Sequence, residues 1–116
     1  MKICKLDDVV RIKPNMEGAK DIYKQVPISR EDGSPTFCFR VFTIEPGGYT
    51  PFHQHHFEHL NYVIEGSGSI VTGNGEEREI HKGCFALILP DEQHQYKNTS
   101  ADEPLIMICA VPKEYE

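Results

Sequence analysis

The stretch Thr50–Ile64, TPFHQHHFEHLNYVI, decides how this chain is read. His53 and His55 are separated by one residue, so in an extended segment both rings stand on one face of the pleat while Gln54 and His56 face the other way. Phe57 and Glu58 serve as a short turn. His59–Ile64, rich in β-branched and aromatic side chains, then reads as a returning strand that opens with a third imidazole. A hairpin of this kind presents three nitrogens from one side, a donor set suited to a divalent transition metal such as Fe, Mn, Ni or Zn. His94, far downstream, is the natural fourth ligand from a distant strand, and the set leaves coordination positions open. Two alternatives stand beside this one. The cluster is simply a solvated loop, or a one-residue slip of the second strand brings Glu58 to the site in place of His59. The six residues between His59 and Gly66 speak against the slip, which leaves Glu58 near the site or in solvent. His56 and His81 read as bystanders, His56 by parity and His81 because it ends a charged hairpin arm.

Outward from this stretch the chain is a series of short extended segments broken by turns, the pattern of an all-β protein. Phe37–Ile44 (FCFRVFTI) alternates, and Pro46-Gly47-Gly48 is expected to end it. Phe37, Phe39 and Val41 share a face, read as core, with an interface as the alternative. Thr50–His55 is the next expected strand. Beyond His59–Ile64, Gly66 and Gly68 bracket a bend. Ser69–Thr72 then runs into Gly73-Asn74-Gly75, whose Asn-Gly pair signals a type I′ hairpin, and Glu77–His81 returns antiparallel. Cys84–Leu89 (CFALIL) reads as a strand covered on both faces. His94–Lys97 follows the loop Pro90-Asp91-Glu92, and Leu105–Val111 (LIMICAV) is the final buried strand. In the less patterned N-terminal third, Val9–Ile12 and Asp21–Ile28 are candidate strands. An unpaired edge there would be concealed by a partner subunit, which points to a homodimer.

A chain of 116 residues is the size of one domain, and such a domain buries roughly 60–70% of its unfolded surface, enough for one core. We therefore expect residues 1–116 to form a single domain. A hydrophobic fraction of 39% and a charged fraction of 26% are ordinary for a globular protein. The net charge of -6 and the scattered basic residues argue against nucleic acid as a partner. No apolar run approaches the roughly 20 residues needed to span a bilayer, and Met1–Asp8 lacks the apolar core of a secretory signal. The expectation is a cytoplasmic protein without a membrane partner. Cys4, Cys38, Cys84 and Cys109 form no C-x-x-C pair and read as reduced, buried thiols. The acceptor tripeptide Asn98–Ser100 should then stay unglycosylated.

Gly47–Gly66 and Gly83–Asn98 resemble the two signature motifs of the cupin family. In the first, Gly47, His53, His55 and Gly66 fall in register, with His59 in the place of the family's glutamate. In the second, Gly83, His94 and Asn98 match in spacing. Pro90 comes one residue late and Asp91 takes a glycine's place, so the turn before His94 is expected to differ in shape. The resemblance implies a β-barrel of the jelly-roll type, with a metal near its open mouth held by His53, His55, His59 and His94. It also implies dimerisation through terminal strands. Four neutral imidazoles leave a divalent ion its full charge, which favours a small carboxylate or enolate as guest. The function this supports is binding of, or action on, a small oxygen-rich molecule, with dioxygenase or decarboxylase-like activity within the enzyme class. A non-catalytic cupin that binds or senses a metabolite through its metal is the competing class. Asn61, by parity with His59, points inward toward a ligand. Tyr62 points away, and Tyr96 and Phe52 are pocket walls or core.

Overall fold

A computed structural model describes residues 1–116. Eight strands succeed one another: β1 (Lys20–Ile28), β2 (Phe37–Tyr49), β3 (His59–Glu65), β4 (Ser67–Thr72), β5 (Glu77–His81), β6 (Phe85–Ile88), β7 (His94–Lys97) and β8 (Leu105–Pro112). They form one antiparallel sheet in the order β5-β4-β7-β2-β8-β3-β6, with β1 added to β2, and the sheet curls into a jelly-roll barrel. No helix is long and apolar enough to cross a membrane.

β2 is the hub of this arrangement. One of its edges pairs with β8 from Phe37 to Ile44, the other with β1, and its far end meets β7 at Tyr49. The core lies between the curled faces and is built from Ile22, Ile44, Val63, Ile70, Ile80, Ile88, Tyr96, Leu105 and Met107. Most are β-branched residues or aromatics, which pack well on a pleated surface.

Several expectations are corrected. Pro46-Gly47-Gly48 does not end β2: residues 45–48 bulge out opposite the single residue Asp21 of β1, which has a φ of 51°, and the pairing resumes at Tyr49. Thr50–His55 is no regular strand. Pro51 has no N–H to give a ladder, and only one bridge, between His53 and His94, joins the segment to β7. The β4–β5 turn is not type I′, since neither Gly73 nor Asn74 has a positive φ. Gly75 alone does, at 84°, so the connection is a three-residue loop with glycine at its left-handed position. Gly66 has a φ of 81°, and a Cβ there would fall 2.0 Å from the Pro104 carbonyl oxygen, so this motif glycine is a steric requirement.

The faces also differ from expectation. On β2 it is Cys38, Arg40, Phe42 and Ile44 that face the interior, while Phe37 and Phe39 are exposed. Only Val41 of the expected face is buried. β6 is covered on one side only: Ile88 is buried, whereas Phe85 is 82% and Leu87 56% exposed. β8 alternates between fully and partly buried positions. All four cysteines are free, with Cys38 and Cys109 buried but Cys4 exposed. Asn98 is buried, donates to the carbonyls of Ile44 and Glu103, and accepts from the Ser100 N–H, which makes it a structural tie that staples the end of β7 to β2.

Candidate metal centre

Two backbone hydrogen bonds build the site. His53 N–H donates to the His94 carbonyl at 3.1 Å and His94 N–H returns to the His53 carbonyl at 2.9 Å. In an antiparallel bridge, residues paired in this way carry their side chains on the same face. Thr50 zips the segment further, its N–H donating to the Tyr96 carbonyl and its hydroxyl accepting from the Tyr96 N–H, both at 2.9 Å. His94 therefore comes from the adjacent strand, far away only in sequence. Its ring centroid lies 5.0 Å from that of His53 and 4.9 Å from that of His55. The ligating nitrogens of His53, His55 and His94 all lie within 4.8 Å of one another. Two nitrogens on one ion, each about 2.1 Å from it, are at most about 4.2 Å apart, so small ring rotations would close the set.

The hydrogen bonds of two rings prepare them for an ion. His55 Nδ1 lies 2.9 Å from the Phe57 carbonyl oxygen, and His94 Nδ1 lies 2.8 Å from that of Glu92. A carbonyl only accepts, so each Nδ1 carries the proton and each Nε2 keeps a bare lone pair. Both Nε2 atoms are buried without a partner. A buried acceptor left unpaired is costly, and an imidazole whose other nitrogen donates to a carbonyl is the usual form of a metal ligand. This donor set fits a transition-metal ion.

His59 sits in the same cavity, buried, with its ring centroid 4.0 Å from that of His55, but its Nε2 is engaged differently. The Arg40 guanidinium donates to it from Nη2 at 3.3 Å, which places the His59 proton on Nδ1 and occupies its lone pair. The structure thus brings together three of the four expected histidines with lone pairs free, and holds the fourth beside them on Arg40. Glu58 is exposed, so the strand is in the expected register. His56 faces outward and pairs with Asp91 at 2.6 Å. Asp91 has a φ of 65°, so the turn before His94 keeps the left-handed backbone open to glycine. Aspartate tolerates this conformation better than most residues.

The rings lie in a cavity of about 170 Å³ lined also by Met16, Phe42, Phe57 and Met107. His55 stacks on Phe57 at 4.3 Å, and Phe57 stacks on Tyr115 at 3.8 Å, an aromatic sleeve beside the centre. Asn61 points inward as expected and accepts a 2.7 Å hydrogen bond from the Tyr96 hydroxyl, whose pKa burial pushes up. Arg40 was not anticipated. Its signal in the sequence is an arginine sharing the parity of Cys38, Phe42 and Ile44, on the face of β2 opposite Phe37 and Phe39.

A family model described as a cupin domain matches residues 40–111, and the chain belongs to the cupin family. The polyketide cyclase RemF from Streptomyces resistomycificus is similar in structure, with a TM-score of 0.92 and 29% identity over 97% of this chain and 80% of that one. A predicted oxalate decarboxylase from Thermotoga maritima shares the fold, with a TM-score of 0.80 and 22% identity over 96% and 98% of the two chains. Gentisate 1,2 dioxygenase 1 from Aquipseudomonas alcaligenes is 33% identical over 63 residues. That match covers 54% of this chain, and it spans 18% of the length of this curated relative.

Two outcomes follow from the geometry. His53→Ala and His94→Ala should each strip most of the metal from the purified protein, measured by elemental analysis, and His59→Ala should do so far more than Glu58→Ala. Equal metal in His59→Ala and the parent would restrict the centre to three histidines. The second outcome concerns pH. Burial first, then the neighbouring rings and Arg40, hold His53 down to about 4 and His59 to about 2 against an ordinary 6.5. As the pH falls below 6.5 the unfolded chain takes up protons that the folded one refuses, so stability drops between 6.5 and about 4. Above 6.5 both states are neutral and this contribution vanishes. With chelator present, urea midpoints should fall more steeply toward about pH 5 for the parent than for His53→Gln.

Proposed function

We propose that the cavity binds one divalent transition-metal ion through His53, His55 and His94, with His59 as a fourth ligand once its Nε2 leaves Arg40. The ion would present a small oxygen-rich molecule, bound through a carboxylate or enol group, to the apolar interior. The observation that carries this reading is the pair of buried, unpartnered Nε2 lone pairs on His55 and His94, beside His53. When bound, such an ion supplies Lewis acidity to a carbonyl or enol oxygen. The rest falls to the chain. Met16, Phe42, Phe57 and Met107 give an apolar wall that limits water. Tyr96, held protonated by burial, keeps Asn61 oriented through its hydroxyl, and Asn61 Nδ2 donates to the Ile108 carbonyl at 3.4 Å.

The reaction we favour is redox-neutral chemistry at an enolisable carbonyl. The likeness to a polyketide cyclase, which extends over 97% of this chain, supports it. The shorter likeness to a gentisate dioxygenase supports a second reading, oxidation of the guest by dioxygen at a redox-active metal. Acetylacetone separates them. The zinc-loaded protein should bind it as the enol, seen by ultraviolet difference spectroscopy, and chelation should abolish the signal. Oxygen consumption by the iron-loaded protein with this or another dicarbonyl would favour the second reading. Failure of every metal form to bind a dicarbonyl or carboxylate guest would defeat both. Recovery of each guest unchanged after long incubation would leave a non-catalytic binding module.

The expected homodimer finds support on the outer sheet face, where Phe37, Phe39, Leu60, Phe85 and Leu87 are exposed. Exposed apolar faces of this kind mark interaction sites, and a two-fold dimer would bury the same patch on both subunits. Sedimentation analysis should show a dimer that Phe85→Glu dissociates, and a monomeric parent would refute it.

A further inference from the structure

We propose that Arg40 anchors a negatively charged oxygen group, a carboxylate or enolate, of the molecule that occupies the cavity. The inference deepens the reading above and rests on this cavity being the ligand site.

Arg40 is 8% exposed and lines the cavity beside the histidines. None of the partners of its guanidinium is a carboxylate. Nη1 donates to the Tyr115 carbonyl at 3.3 Å, and Nη2 donates to Cys109 Sγ at 3.0 Å and to His59 Nε2 at 3.3 Å. Nε–H, buried, donates to nothing. None of the ion pairs of the molecule includes Arg40, and no carboxylate lines the cavity. The neighbouring strand β1 adds charge of the same sign: Lys24 is half-buried, and its pKa is lowered first by burial and then by Arg40. Glu116, next along the chain from Tyr115, is committed to Ser29 Oγ at 2.7 Å, to the Arg30 N–H at 2.8 Å and to Cys38 Sγ at 3.3 Å.

A buried guanidinium with no counter-charge is a strong liability for folding, because its desolvation is repaid only by an anion or a full set of acceptors. Here the missing partner is an anion of cavity size. A cavity of about 150 Å³ holds one benzene ring, and this one is about 170 Å³. The class of guest is thus a molecule, or a terminal segment of one, about a single ring in bulk. It carries one ionised oxygen group for Arg40 and a second oxygen for the metal.

Benzoate and benzamide, alike in shape and unlike in charge, test this by calorimetry on protein held metal-free with chelator and on the zinc-loaded form. Metal-free parent should bind benzoate and not benzamide, with one arginine Nε–H resonance shifting in ¹⁵N spectra. Arg40→Met should weaken benzoate by about tenfold or more, and Arg40→Lys should recover only part, since the ammonium lacks the planar fork. Thermal melts of metal-free Arg40→Met should be no lower than those of the parent, as expected when an unpaired buried charge gives way to an apolar side chain. If Arg40→Met fails to fold, the parent's arginine resonance and Arg40→Lys still decide the matter. Equal binding of benzamide, benzoate affinity unchanged in Arg40→Met or Arg40→Lys, or no benzoate binding by either metal form would overturn the proposal. Benzoate bound only by the zinc form, and unaffected by Arg40 variants, would remove Arg40 from the site while leaving the metal reading intact. Loss of zinc binding alone would defeat that reading and leave the metal-free result standing.

Discussion

The reciprocal backbone pair between His53 and His94 is the constraint from which the site is built. It ties an irregular segment, in which Pro51 has no N–H to give a ladder, to a short regular strand. The bridge brings two rings onto one face, parity adds His55, and a second backbone bond, from the Asp91 N–H to the His55 carbonyl at 2.7 Å, holds the loop that leads into β7. Backbone hydrogen bonds are a rigid way to set ring positions, because they spend none of the side chains' own donors and acceptors. Those remain for the site, and His55 and His94 each use one nitrogen on a carbonyl and leave the other bare.

Charge balance gives the cavity its chemical character. Neutral rings and a buried guanidinium face one another without an acid among the lining residues, and the half-buried Lys24 of the neighbouring strand β1 adds charge of the same sign as Arg40. The lowered pKa values of His53, His59 and His94 have burial as their largest cause. Neutral imidazoles are the form a metal needs, so the same burial that raises the cost of charge keeps the lone pairs available. Arg40 cannot escape in this way, since a guanidinium does not give up its proton. It shares the lone pair of His59, and that lone pair is the one a fourth ligand would need.

Much of this was legible along the chain. Strand alternation located β3, β4, β5 and β7 within a residue or two, because turn residues bound each run. The parity of His53, His55 and Asn61 put their side chains on the inside. Less legible was any feature that depends on which two faces meet. FCFRVFTI alternates equally well in either sense, so the pattern alone does not say whether Phe37 and Phe39 or Arg40 turns inward. CFALIL is apolar at every position, so its composition could not reveal that Phe85 and Leu87 would remain uncovered.

By itself the sequence determined the all-β pattern and the histidine spacing, since these follow from a two-residue period, whereas the glycine at 66 is required by the Pro104 carbonyl that the fold brings against it. Only the tertiary structure decided that Cys38, Arg40, Phe42 and Ile44 turn inward, that His94 lies against His53, and that His59 is held by Arg40. The physical reason is that a strand's inner face is chosen by its neighbours' register. β2 aligns Arg40 with Cys109 of β8, and Cys109 in turn with Asn61 of β3, which sets that row of side chains inside the barrel.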